Sequence, residues 1–312
     1  MTFSTDVLVS IVVPVYNGEA TIEILRTRIH AAMTQAGYSH EIIFVEDCGS
    51  DASWQLLEAM CQQHPEVRAI KLSKNFGQHP ATLCGISQAR GRWVATIDDD
   101  LEQPPESLPA LIKKAEEGYA LVYGINETRS HAAWRNLTST LGRKLFKAAI
   151  PSLNAQYTSM RVIDHAIAQE LTRFKSPSPF VDGYLSWLTN NYETVVVPHD
   201  PRGAGSSNYN LRKLLVHTIN IFVTFSDLPL RIATWLGICT SIGGAVWGLV
   251  ILLRRLFGDV GVSGYTSLMA GITFLGGIQL LILGIFGQYL ARINFKTTSM
   301  PVFLAAKDTK RE

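Results

Sequence analysis

This 312-residue chain is organised around three consecutive aspartates and a glutamate two residues on, Asp98-Asp99-Asp100-Leu101-Glu102. Packed like charges raise one another's pKa and repel unless a cation sits among them. Oxygen-only donors of this kind suit Mg2+ or Mn2+, and such ions commonly bridge to the phosphates of a substrate. The competing reading is a solvated acidic turn. An apolar run at residues 93–97 leads straight into the aspartates and reads as a buried strand. Pro104-Pro105 then stops the loop and pre-sets the first turn of a helix.

The preceding elements must place that turn. Residues 7–15 form an apolar β-branched run leading into Tyr16-Asn17-Gly18-Glu19, and a helix follows with Ile22, Leu25, Ile29 and Met33 on one face. A second strand at 41–45 ends in Glu46-Asp47-Cys48-Gly49-Ser50-Asp51, and residues 52–63 are helical. A third strand at 67–72 ends in Ser73-Lys74-Asn75-Phe76-Gly77-Gln78, before a helix to about residue 89. Strands recurring with a helix between them indicate βαβ units in a parallel sheet. Asn17, Asp47, Asn75 and Asp98 all follow strands directly, and in such sheets those ends converge on one ligand-binding edge. Each could alone be a turn or a helix cap, with Asp47 or Ser50 suited to cap the second helix. Together they predict a nucleotide pocket. Neither G-x-G-x-x-G nor G-x-x-x-x-G-K-[ST] is present, which disfavours a dinucleotide fold and excludes a P-loop NTPase.

Ser10-Ile11-Val12-Val13-Pro14-Val15-Tyr16-Asn17-Gly18-Glu19, Val45-Glu46-Asp47-Cys48-Gly49-Ser50-Asp51, Asn75-Phe76-Gly77-Gln78 and the segment from Asp98 to Glu106 resemble, in order, the motifs of family-2 glycosyltransferases of the GT-A fold. Within that family the chain is most similar to polyisoprenyl-phosphate glycosyltransferases, a group that includes dolichyl-phosphate mannose synthase and bactoprenol glucosyltransferase. The resemblance implies that Pro14, Tyr16 and Glu19 line the base and ribose pocket, with Asn17 and Asn75 among the nucleotide-binding residues. Asp47 would accept hydrogen bonds from a uracil-type base. Asp98-x-Asp100 would be the D-x-D element, with Asp98 toward the sugar nucleotide and Asp100 on the metal. Glu102 stands where the family usually has Gln; a carboxylate there also serves as a metal ligand. Glu46 and Cys48 depart from the commoner D-D-G-S pattern.

Arg135 and Arg202 align with arginines that the family places around phosphates, and the Arg fork suits bidentate phosphate binding. They are the candidate catalytic cations, and with Ser207 the candidates for the acceptor phosphate. Arg143, Lys144 and Lys147 read as a solvated helix face. Ser159 stands where some members carry an Asp proposed as a base. Serine is a poor base, but an acceptor phosphate is already ionised near pH 7. His79 reads as helix-start structure.

The back of the chain differs in kind. From residue 205 onward there are 10 Lys/Arg against 4 Asp/Glu, a net of +6, whereas the whole chain nets +2. An acidic front and a basic, apolar back argue against a nucleic-acid binder and for a domain attached to anionic lipid. Residues 232–253 and 265–290 carry no charge and are long enough to span a bilayer. Gly237, Gly243, Gly244 and Gly248 in the first, and Gly271, Gly276, Gly277, Gly284 and Gly287 in the second, predict close helix packing. Arg231 before the spans, and Arg292, Lys296, Lys307, Lys310 and Arg311 after them, favour cytoplasmic ends; Arg254 and Arg255 oppose this mildly and can snorkel. Four cysteines without C-x-x-C spacing fit a reducing cytoplasm, and no signal peptide is apparent.

The sequence thus predicts an α/β GT-A-type, mostly parallel sheet flanked by helices, as a cytoplasmic domain over residues 1–210. A juxtamembrane amphipathic helix at 211–228, two transmembrane helices within 229–292 and a cytoplasmic tail at 293–312 follow. The expected reaction is metal-dependent, inverting transfer of one sugar from a nucleotide donor, a UDP-sugar with glucose favoured, to undecaprenyl phosphate or a related polyprenyl phosphate. The alternatives are a processive polysaccharide synthase, disfavoured by the missing Q-x-x-R-W, and a non-catalytic sugar-nucleotide-binding scaffold. A flippase partner and a homo-oligomer are compatible with this reading.

Overall fold

The structure is a computed structural model that describes residues 8–126, 157–174, 176, 179–198, 228–257, 264–297 and 301–310. The chain divides into two compact units, Met1–Tyr209 with Ser299–Glu312, and Asn210–Thr298.

The first unit is built on β1 (Val9–Val15), α1 (Ile22–Gln35), β2 (His40–Glu46), α2 (Ser53–Gln63), β3 (Val67–Leu72), α3 (Gln78–Gln88), β4 (Trp93–Thr96), α4 (Leu108–Glu116) and β5 (Leu121–Asn126). β6 (Arg161–Asp164), α5 (His165–Leu171), α6 (Val181–Leu188) and β7 (Tyr192–Val197) complete its main body. The eight-stranded sheet runs β7-β5-β6-β4-β1-β2-β3-β8, where β8 is Ala305–Asp308. The four strands expected from the sequence pair in parallel around β1, which lies between β2 and β4. β6 enters antiparallel between β4 and β5, so the sheet is mixed, with parallel pairs dominant.

All seven residues of β1 are buried, as a strand covered by helices on both faces must be. Ile22, Leu25, Ile29 and Met33 of α1 join the core on one face with Val9, Ile11, Val13 and Val15. On the other face α3 lies so close to β1 that a Cβ on Gly85 would stand 2.3 Å from Val12 Cγ1. The chain passes from β3 to β4 across β1, so the loops after β1 and β4 diverge there and open a crevice.

The residues read as a tail include an edge strand. β8 runs antiparallel to β3, and Arg68 donates to both carboxylate oxygens of Asp308, at 3.0 and 2.6 Å. No local pattern announces this pairing, because the four residues of β8 meet a strand from far earlier in the chain.

The second unit contains α7 (Leu228–Leu256) and α8 (Tyr265–Thr297). Large apolar side chains such as Trp235, Trp247, Phe274, Leu280 and Phe286 are exposed along both. Among the described residues, one 18-residue window, Phe274–Ala291 in α8, is long and apolar enough to cross a membrane, with mean hydropathy 1.7. Gly248 aside, whose surroundings lie outside the described residues, the glycines do not seat one helix on the other. A Cβ at Gly237, Gly243, Gly244, Gly271, Gly276, Gly277, Gly284 or Gly287 would meet nothing within 4 Å, so these faces border open space. The expected helix at 211–228 lies outside the described residues apart from Leu228.

Candidate active site

Four strand ends meet at one cavity of about 300 Å³. β1 supplies Pro14, Val15 and Tyr16; β2 supplies Asp47; the turn after β3 and the start of α3 supply Asn75, Gly77, Gln78 and Ala81. β4 supplies Asp98, Asp99 and Asp100. Five of the residues expected around a nucleotide therefore come together: Pro14, Tyr16, Asp47, Asn75 and Asp98.

Two others do not line the cavity. Asn17 has a left-handed φ of 56°, which aims its side chain across to the next loop, where Oδ1 accepts the Ser50 N–H at 2.8 Å. Glu19 Oε2 accepts the Ala52 N–H at 3.1 Å, and the Glu19 N–H donates to Asp51 Oδ2 at 2.9 Å. Both residues brace the β1 loop against the start of α2. The N-terminal N–H groups of α2 are thus met by Glu19 and by Asp51, whose Oδ1 accepts from Ser53 at 3.1 Å, and not by Asp47 or Ser50.

Asp47 is buried, and its two oxygens accept the backbone N–H groups of Phe76 and Gly77, each at 2.7 Å. Burial raises its pKa, and those two bonds oppose the rise. It therefore ties the β2 and β3 loops together as well as lining the cavity. Gly77 has φ 95°, a backbone region that side chains disfavour, and this turn delivers Gln78 to the aspartates.

The aspartates are half-buried and individually held. Asp98 Oδ1 accepts from Gln78 Nε2 at 2.6 Å, Asp99 Oδ2 accepts the Tyr16 N–H at 3.2 Å, and Asp100 Oδ1 accepts the Glu102 N–H at 3.0 Å. Burial pushes the Asp98 carboxyl up to about 6, with Ser159, Arg161 and Gln78 opposing and the Asp100 charge adding to the rise. Burial likewise pushes Asp99 up to about 7, with Asp98 and Asp100 adding to it. Leu101 at φ 62° makes the tight reversal that follows. Glu102 is half-buried in this turn and is not among the cavity's lining residues.

Among the described residues no three His, Cys, Asp or Glu side chains form a ready-made metal cage. An ion that bridges to substrate phosphates needs only one or two carboxylates, with phosphate oxygens and water filling its shell. Hard oxygen donors lining a cavity of this size fit Mg2+ or Mn2+ in that role.

Ser159 is brought to the site: its Oγ donates to Gln103 Oε1 at 3.2 Å, and it opposes the rise of the Asp98 pKa. Gln78, Arg161 and Asp182 are site neighbours that the sequence reading did not single out. The signal for Arg161 was a charge inside the apolar run Met160-Arg161-Val162-Ile163. Arg135, Arg202 and Ser207, with Arg143, Lys144 and Lys147, lie outside the described residues.

A mixed sheet with nucleotide-sized crevice and carboxylate row at its switch point defines a GT-A-like fold. Residues 10–169 match glycosyl transferase family 2, and the chain belongs to that family. It is 32% identical over 306 residues to the uncharacterized glycosyltransferase YkcC of Bacillus subtilis, covering 97% of this chain and 95% of that one. It is 32% identical over 300 residues to the undecaprenyl-phosphate 4-deoxy-4-formamido-L-arabinose transferase of Pseudomonas paraeruginosa, covering 95% and 88%. The SfII prophage-derived bactoprenol glucosyl transferase of Shigella flexneri is 29% identical over 301 residues, covering 96% and 97%. Among solved structures, glucosyl-3-phosphoglycerate synthase of Mycobacterium tuberculosis, in complex with Mn2+, UDP-glucose and phosphoglyceric acid, has a TM-score of 0.52 at 18% identity. That likeness covers 70% of this chain and 78% of that one, and it concerns the fold.

Proposed function

We propose that this protein is a membrane-anchored glycosyltransferase that moves one sugar from a nucleotide donor, a UDP-sugar with glucose favoured, to undecaprenyl phosphate or a related polyprenyl phosphate. The observation that carries this reading is the convergence of Tyr16, Asp47, Asn75 and the three aspartates on one cavity. The names of the Pseudomonas and Shigella relatives support the polyprenyl-phosphate acceptor.

The exposed Tyr16 ring offers a face on which a base can stack, and Asp47, although it holds the β3 loop, has acceptor capacity left for a base N–H. Bound Mg2+ or Mn2+, held by Asp100 with Asp98 beside it and Glu102 as the further candidate, would neutralise charge on the leaving diphosphate. An oxygen of the ionised acceptor phosphate attacks the sugar C1 as the bond from C1 to the diphosphate oxygen breaks. The diphosphate leaves as the nucleoside diphosphate, the anomeric centre inverts, and no proton need be removed. Ser159 in place of an aspartate is consistent with that. Arg135, Arg202 and Ser207 are assigned to the phosphates on the sequence alone.

The membrane reading draws on the apolar side chains exposed along α7 and α8. β8 adds a topological argument. It shares a sheet with β3, so the chain leaving the first unit and returning to it must cross a bilayer an even number of times. If α8 spans, α7 spans too and both ends lie on one side; the Lys and Arg flanking the spans favour the cytoplasmic one.

Washed membranes containing the protein should transfer label from a UDP-sugar to lipid, one sugar per lipid. A long polymer would indicate a processive synthase, and donor binding without transfer would indicate a scaffold. A panel of sugar nucleotides with purified protein and polyprenyl phosphate then names the sugar.

A further inference from the structure

Behind the aspartates lies a buried charge network that the transfer chemistry does not use directly. Arg161 on β6 is 3% exposed and Asp182 on α6 is 4% exposed. The Arg161 guanidinium donates to Asp182 Oδ1, and the Tyr123 hydroxyl on β5 donates to the same oxygen at 3.2 Å. On its other side Arg161 Nε donates to Thr96 Oγ1 at 3.0 Å, and that hydroxyl donates to the Ser159 carbonyl. Thr96 ends β4 and sits opposite Arg161 in the antiparallel register. Ser159 Oγ in turn donates to Gln103 Oε1 at 3.2 Å, at the far end of the aspartate loop. The network therefore runs from α6 through two strands to both ends of the aspartate loop.

A buried ion pair loses hydration on both partners, and apolar residues of similar volume often serve stability as well or better. Stability alone is a poor reason for placing one directly beneath the site. Without Asp182 the buried guanidinium would lose the partner that fixes its orientation, and the Thr96 hydroxyl it donates to would be held less firmly.

We propose that Asp182 is a positioning residue that, through Arg161, Thr96 and Ser159, fixes the aspartate loop in the geometry that receives the nucleotide sugar and its metal. Asp182 holds the guanidinium in place, and the guanidinium fixes the Thr96 hydroxyl so that its proton goes to the Ser159 carbonyl. Ser159 then presents its own hydroxyl to Gln103 Oε1. Asp182 lies beyond the residues that match the family, on a helix that it ties to β5 and β6. The inference rests on the glycosyl-transfer reading for its consequence, but the geometry it describes is measurable without substrate.

The test uses the full chain in two forms, Asp182→Asn and the apolar pair Arg161→Met with Asp182→Leu. Amide hydrogen exchange of residues 97–103 is followed in the ligand-free protein, with β2 and α1 as internal references. Exchange should accelerate across 97–103 alone, while the thermal midpoint of the apolar pair stays near that of the parent. Turnover with UDP-sugar should fall about 10²-fold, the scale set by ångström-size misplacement of reacting groups, and half-maximal activation should need more Mn2+. Unchanged exchange at 97–103, or equal acceleration in every strand, overturns the proposal and leaves the pair a fold element. If the parent transfers no sugar, the functional reading fails while the exchange result still decides the positioning role. Should neither variant fold, Thr96→Val removes the bridging hydroxyl at nearly constant shape, and the same exchange criterion applies.

Discussion

Asp100 and Asp47 show how much the work of a carboxylate depends on what already occupies its oxygens. Asp100 Oδ1 closes its own turn onto the Glu102 N–H, and Asp100 faces the cavity as the first candidate metal ligand. Asp100→Asn should lower turnover by about 10²–10³-fold, the usual cost of removing one preorganised electrostatic group, with the circular dichroism spectrum unchanged. Excess EDTA should abolish activity and added Mn2+ restore it. Full turnover in EDTA would remove the metal from the mechanism. Asp47 is different, since two backbone N–H groups point at it. Asp47→Asn turns an amide NH2 toward one of those donors, so about 1–3 kcal/mol of stability should be lost along with donor affinity. A thermal midpoint equal to the parent's would show that the β3 loop holds without it.

At the scale of elements, the close approach of α3 to β1 decides where Gln78 and Asn75 stand. Gly85→Ala would thrust a methyl group into Val12 on a buried strand, and overpacking of this kind costs about 1–3 kcal/mol. Urea unfolding should register that loss, with the slope unchanged. At the opposite end of the sheet Glu41 joins β2 to the turn before β4. Burial pushes the Glu41 carboxyl up, but bonds from Arg90 and Ser10 outweigh it and hold the pKa below the ordinary 4.5. Its contribution is therefore present above about pH 4.5 and is lost as pH falls through the lower folded-state value. Glu41→Gln should reduce stability near neutral pH and flatten the acid limb of the stability curve below pH 4.5. A parallel shift at every pH would assign the effect to packing instead.

At the scale of the whole molecule, β8 makes residues 305–308 part of the sheet built around β1. Asp308→Ala would strand the buried Arg68 guanidinium, a loss on the order of 3–5 kcal/mol for one partner of a buried pair. Calorimetry should find a markedly lower thermal midpoint for that variant. In the proposed membrane reading, the same strand returns residues 301–304 to the side of the first unit. Single cysteines placed at residues 258–263 should react with a membrane-impermeant thiol reagent only from the non-cytoplasmic side. Cysteines at 301–304 should react only after the cytoplasmic side is opened. Labelling of both positions from one side would mean that α7 and α8 do not cross.

What the sequence determined by itself was whatever local period and order can encode. Alternation of apolar strands and helices marked β1 to β4, and the polar clusters after them followed from the rule that parallel strand ends share an edge. The α1 stripe of Ile22, Leu25, Ile29 and Met33 was likewise legible, because helical spacing alone puts those residues on one face. Only the tertiary structure decided which residues of a cluster face the cavity. A residue one position past a strand can point at a ligand or at the neighbouring loop, and the left-handed turn at Asn17 sends Asn17 and Glu19 to the neighbour. It also decided the partners of Arg161, Asp182 and Arg68. Buried charges must find counter-charges, but which ones meet depends on strand order and register, and these bring together residues tens to hundreds of positions apart.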